Sequence, residues 1–194
     1  MTDEDVAYVL FLEPAERAPP DESVGESILN FLITSCQPSP TLMHTEILIL
    51  PNDRDEHRCS FATYIDALNG AAWQPPNDET RSYYLLAHAG RWRAVTVRSK
   101  DIAAKLRAAC SEEMGTKYSM VRYITSTRLF RPFSRLLPSK VRSPAHCAVL
   151  TARCLRRAGY ELRHHPNFYS PTTLFLELDH ATTTSATAST LRSI

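Results

Sequence analysis

Glycine is scarce. Only five occur in 194 residues, and none belongs to a phosphate loop or a dinucleotide fingerprint, which excludes nucleotide binding of those two kinds. Long apolar runs are missing as well; none approaches the ~20 residues that a membrane span requires. No positively charged start leads into an apolar stretch and a cleavage site, so no secretory signal is expected. The five cysteines (Cys36, Cys59, Cys110, Cys147, Cys154) are odd in number and show no paired spacing, which argues against a disulfide framework. An intracellular, reduced protein that is not secreted is the expectation. Charge of one sign is lacking overall, at a net +1, against general nucleic-acid binding. It is also lacking locally. Between Lys117 and Arg157 there is no Asp or Glu, while up to Glu26 the lone basic residue is Arg17.

What remains is ordinary for a globular chain: 43% hydrophobic and 22% charged residues. The length fits one domain, residues 1–180, with an acidic arm at 1–23. A Thr/Ser/Ala-rich tail at 181–194 has no apolar pattern and is expected to be disordered. The basic stretch 117–142 gathers Arg122, Arg128, Arg131, Arg135, Lys140 and Arg142. It reads either as a solvated loop or as a patch that steers an acidic substrate or phospholipid headgroups.

Apolar and β-branched runs predict strands at Val6–Leu12, Thr41–Leu50, Arg58–Ile65, Tyr83–Ala87, Trp92–Val97 and Thr172–Leu178. The first is a buried strand or an arm along the sheet. The second and third are expected to pair antiparallel, and Ala89-Gly90-Arg91 fits a short hairpin turn. Helical spacing predicts helices over Val24–Cys36 and from about Asp101 to Met114. Trp73–Thr80 reads as a Pro-rich loop, and Tyr118–Arg142 as an irregular rim or lid.

Ser143 to Gly159 reads as one more helix. Ser143 suits the N-cap and Pro144 the first helical position. Arg156 and Arg157 suit the last turn, and Gly159 suits the exit. Cys147 then lies in the first turn, where free N–H groups and the helix dipole favour a thiolate. The same N–H groups could hold an oxyanion. Such a cysteine wants a histidine to take its proton. In the strand Thr41–Leu50, His44 and Glu46 share a face with Leu48 and Leu50. Two polar groups on an apolar face are a local inconsistency of the kind that marks functional sites. Cys36, Cys110 and Cys154 sit on apolar helical faces and read as inert core thiols. The histidines His57, His88, His164, His165 and His180 fit no metal spacing, and neither a metal nor a cofactor is expected.

In order, the chain carries a strand with His44-x-Glu46, further strands, Gly115-Thr116-Lys117-Tyr118, and Cys147 at a helix start. This order resembles the circularly permuted branch of the NlpC/P60 superfamily of papain-like cysteine enzymes, over about Gly25 to Gly159. Bacteria and large DNA viruses carry such members, and a viral source is implied by the resemblance alone. Permuted members often show Cys-Ser-Glu-Leu at the nucleophile, where this chain has Cys147-Ala148-Val149-Leu150. The resemblance implies an α+β papain-like fold, an antiparallel sheet with the nucleophile helix packed against it.

It also implies a cysteine-dependent hydrolase (peptidase, amidase or thioesterase) or an acyltransferase. The substrate would be peptide, acyl-amide or lipid-type. Cys147 would be the nucleophile and His44 the base. Glu46 would orient His44, its carboxylate lying ~6–7 Å along the strand and able to reach back. Ser60 or Thr63 on the next strand are alternatives for that third place. Tyr118, His146 and Ser60 are candidates for substrate contact, with His146 expected rather to point outward. The competing expectation is a papain-like binding module without turnover that uses the 117–142 loop, through which peripheral membrane contact is also open.

Overall fold

Alternation builds the sheet. In Asp5–Leu12 (β1), Ala7, Val9 and Phe11 are fully buried while Tyr8 and Leu10 are half-buried, as a pleated strand with one core-facing side requires. The computed structural model describes residues 5–13, 41–49, 59–62, 70–74, 89–126 and 140–180. Within them β1 is joined by His44–Ile49 (β2), Cys59–Ala62 (β3), Ala72–Gln74 (β4) and Trp92–Ser99 (β5). The strand order is β4-β3-β2-β1-β5, antiparallel throughout. β1 is thus an interior strand, paired with β2 on one side and β5 on the other, rather than an arm.

Four α-helices complete the described residues: Ile102–Glu113 (α1), Met120–Ser126 (α2), Cys147–Arg157 (α3) and residues 171–180 (α4). One core joins α1, α3 and α4 to the sheet. Val9, Phe11, Ile47 and Val95 meet Leu106 of α1, Leu150 and Leu155 of α3, and Leu174, Phe175 and Leu178 of α4. The Phe11 and Phe175 rings meet edge-on at 5.3 Å. α3 is buried over every residue from Cys147 to Leu155. It ends in a Schellman arrangement: Tyr160 N–H donates to the Leu155 carbonyl and Gly159 N–H to that of Arg156, with Gly159 at φ 87°. The α+β class and the antiparallel sheet agree with the sequence reading. No helix of the described residues is long and apolar enough to cross a membrane.

Three expected elements differ. Residues 171–180 are helix, not the strand expected at Thr172–Leu178. The local signal is a cap. Ser170 Oγ accepts from Thr173 N–H (3.2 Å), Thr173 Oγ1 accepts from Ser170 N–H (2.9 Å), and Pro171 takes the first helical position. Trp73, expected in a loop, lies in the edge strand β4. Met120–Ser126 is helical within the stretch expected to be irregular. Ala89–Arg91 is a 3-10 turn. The expected helix Val24–Cys36, the strand Tyr83–Ala87, most of the 1–23 arm, residues 127–139 and the 181–194 tail lie outside the described residues.

Candidate active site

The helix bearing the candidate nucleophile begins at Cys147, three residues later than its Ser-Pro signal predicts. The preceding segment is engaged elsewhere. Ser143 Oγ donates to the Lys140 carbonyl (2.6 Å) and accepts from Arg153 Nη1 (2.7 Å). Ala145 bridges Tyr118 in parallel: Ala145 N–H donates to the Lys117 carbonyl (2.9 Å) and Ser119 N–H to the Ala145 carbonyl (3.1 Å). His146 therefore becomes the N-cap, in extended conformation (φ −90°, ψ 172°), and its side chain makes no capping bond. Cys147 is the first helical residue, where the leading N–H groups have no partner inside the helix.

A buried carboxylate holds this turn in place. Glu113, at the end of α1, is fully buried. Its Oε2 accepts from Thr116 Oγ1 (2.8 Å), Arg142 N–H (3.1 Å) and Arg153 Nη2 (3.0 Å), and its Oε1 accepts from Arg157. Arg153 also donates to the carbonyls of Lys140 (2.9 Å) and Ser143 (3.1 Å). Arg142 adopts a left-handed φ of 56°, a conformation that costs a non-glycine residue ~1–2 kcal/mol, and the four bonds to Glu113 offset that strain. Behind the neighbouring segment, Gly70 sits at φ +77°, and a Cβ there would lie 2.6 Å from the Gly115 carbonyl oxygen. That close approach lets Ala71 N–H donate to the Thr116 carbonyl and Gly115 N–H to that of Ala71, both at 2.8 Å.

His44 opens β2, opposite Leu12 of β1. Its Nε2 meets Glu46 Oε1 at 3.2 Å, with Glu46 fully buried. Glu46, the first candidate for the third place, thus touches His44. Ser60 lies opposite Leu48 and Gln74, four strand positions from His44, or ~13 Å along the sheet. Thr63 lies outside the described residues. His44 also stands near enough to the Cys147 thiol for each to shift the other's titration. The Trp92 ring walls the imidazole edge-on at 6.4 Å.

Electrostatics set the pair apart from ordinary groups. Burial alone would raise the Cys147 thiol, whose sulfur-bearing residue is 1% exposed. The His44 charge, with the His146 and His44 rings close by, outweighs burial and brings it down to about 6. Burial alone would likewise lower His44, but the thiolate and then Glu46 push it up to about 9. Tyr118 is half-buried and pushed upward by burial and by the Cys147 charge. Cys110 and Cys154 are buried in the core, as expected of inert thiols, and burial raises Cys110 well above its usual range.

Two sequence readings change. His146 points inward, not outward: it is fully buried, its ring 5.5 Å from that of Tyr123. Arg122, counted in the basic stretch, is buried and donates to Asn167 Oδ1 at 2.7 Å, so its charge is spent inside the fold. Trp92, Glu113 and Arg153 were not singled out by sequence. A charged residue amid the apolar run of α3 was the available signal for Arg153. Among the described residues, no three or more His, Cys, Asp or Glu side chains converge as metal ligands. No family model, curated protein or solved structure matches the chain.

Proposed function

We propose that the protein is a cysteine-dependent acyl-transfer enzyme of papain-like type, with Cys147 as nucleophile, His44 as base and Glu46 orienting His44. The observation that carries this reading is the buried chain Cys147–His44–Glu46 at a helix start, with the thiol brought down to about 6 and the imidazole up to about 9. A thiolate beside an imidazolium is the resting state of a nucleophile that needs no further activation. The sulfur attacks a carbonyl carbon, and the first N–H groups of α3 are placed to hold the oxyanion. His44 gives its proton to the leaving group, producing a thioester on Cys147. Water as second acceptor makes a hydrolase of an amide, ester or thioester; an amine or alcohol makes an acyltransferase. Tyr118 lines the acyl pocket.

A papain-like binding module without turnover draws on one observation, the 1% exposure of Cys147. Alkylation separates the two readings. The rate of each cysteine with iodoacetamide is followed from pH 4 to 9 by peptide mass spectrometry, in wild type and His44→Ala. The enzyme reading predicts that Cys147 reacts selectively below pH 7 and loses that selectivity without His44. A Cys147 that titrates like a free thiol (~8.5), or stays inert while other cysteines react, overturns it.

A further inference from the structure

His146 is a group that the dyad leaves unexplained. It is fully buried, and neither ring nitrogen has a hydrogen-bond partner of full geometry among the described residues. Leaving a buried donor or acceptor unpaired costs stability. A Phe or Leu would fill the same space against Tyr123 without that cost. Unlike most N-cap residues, it does not spend its side chain on the helix. The ring instead stands next to the Cys147 sulfur. An unpaired, desolvated N–H beside a nucleophile and a helix start is a site that lacks its ligand.

We propose that His146 supplies the side-chain donor of the oxyanion site, its ring N–H pairing with the acyl oxygen as the tetrahedral intermediate forms on Cys147. The inference rests on the acyl-transfer reading above. An imidazole carries at least one N–H in either charge state, so the donor is present throughout. In the step, the Cys147 sulfur forms a bond to the carbonyl carbon and the π pair moves onto oxygen. His146 holds that oxygen without giving up its proton, beside the backbone N–H groups of the helix start. When the pair returns, the leaving group departs with the proton that His44 held. His146 thus acts at the oxygen while His44 acts at the leaving group.

Two small probes distinguish a donor to oxygen from a residue that merely steadies the thiolate. p-Nitrophenyl acetate acylates Cys147 through an oxyanion; iodoacetamide alkylates it by displacement, with none. The quantity to compare is the ratio of the two second-order rate constants, in which the thiolate fraction cancels. His146→Phe keeps a ring against Tyr123 and removes both nitrogens. The ratio is expected to fall about a hundredfold, the usual effect of removing one oxyanion donor. His146→Gln, which restores an N–H, is expected to recover at least tenfold of that loss. The Tm of His146→Phe should equal or exceed that of wild type, because the unpaired nitrogens are gone. A ratio unchanged in His146→Phe overturns the proposal, as does a Gln variant no better than Phe. Failure of the acyl-transfer reading looks different: wild-type Cys147 would alkylate yet never acylate.

Discussion

The acidity of one thiol is decided by a contest between burial and neighbouring charge. Burial favours the neutral thiol, and His44 with His146 tips the balance toward thiolate. His44→Ala removes the larger of these opponents and leaves burial in command. The Cys147 pKa should then rise to at least its ordinary 9.0, cutting the thiolate fraction at pH 7 about a hundredfold, read as the alkylation rate. Glu46→Gln keeps a hydrogen bond to His44 and removes a charge. The imidazolium loses support, so the His44 pKa falls from about 9 and the alkaline limb of an acyl-transfer profile moves to lower pH. The rate should drop about a hundredfold, and an unmoved alkaline limb would remove Glu46 from its place. His44, Glu46 and Cys147 were legible in sequence because strand alternation and first-turn position are local properties. The direction of His146 was not, because it depends on where the helix starts.

Two Ser-Pro pairs show what fixes that start. Ser143-Pro144 has the composition of a cap, yet α3 begins at Cys147, since Arg153 and Lys140 occupy Ser143 and the Tyr118 bridge keeps Ala145 extended. Ser170-Pro171 has no such competitor and does cap α4. The run that follows, with its Thr, Leu and Phe, resembled a strand; the i, i+1, i+4 placement of Leu174, Phe175 and Leu178 was the better guide. Tertiary bonds overrode the first signal, and a missed cap hid the second. Ser170→Ala should cost ~1 kcal/mol, read by denaturant unfolding. The Glu113–Arg153 pair is the stronger test of what places the nucleophile. Glu113→Gln leaves the buried guanidinium of Arg153 without its counter-charge, at an expected cost of ~3–5 kcal/mol. A loss under 1 kcal/mol would mean that the turn before Cys147 is held by the Tyr118 bridge alone.

Across the whole molecule, a strand from the start of the chain, strands from its middle and helices from its end share one core. The strands β1, β2, β3 and β5 were legible from β-branched and apolar runs, but their order was not, since pairing partners lie far apart in sequence. The site inherits that arrangement: β2 brings His44 and Glu46, while α3 brings Cys147 and His146. Gly70 shows the tightness of the assembly. Gly70→Ala forces a Cβ against the Gly115 and Thr116 carbonyls at a left-handed φ, and should lower stability by ~1–3 kcal/mol, read as a shift in urea midpoint.

The ion pair also makes stability depend on pH. The depressed Cys147 contributes stability that is complete above its unfolded value of 9.0 and is lost as pH falls through about 6. The raised His44 contributes stability that is complete below 6.5 and is lost as pH rises through about 9. Thiolate and imidazolium coexist between about 6 and 9. The Tm difference between wild type and Cys147→Ser should grow as pH rises through about 6; a difference flat in pH would contradict the pair.

The thiolate itself is the most direct object to measure. Its absorbance near 240 nm needs no probe to reach a sulfur that is 1% exposed. A titration of wild type, with that of Cys147→Ser subtracted, isolates this one thiol. The account predicts an inflection near pH 6 that disappears from this range in His44→Ala. An inflection at the ordinary thiol value (~8.5), or one unchanged by loss of His44, would contradict it.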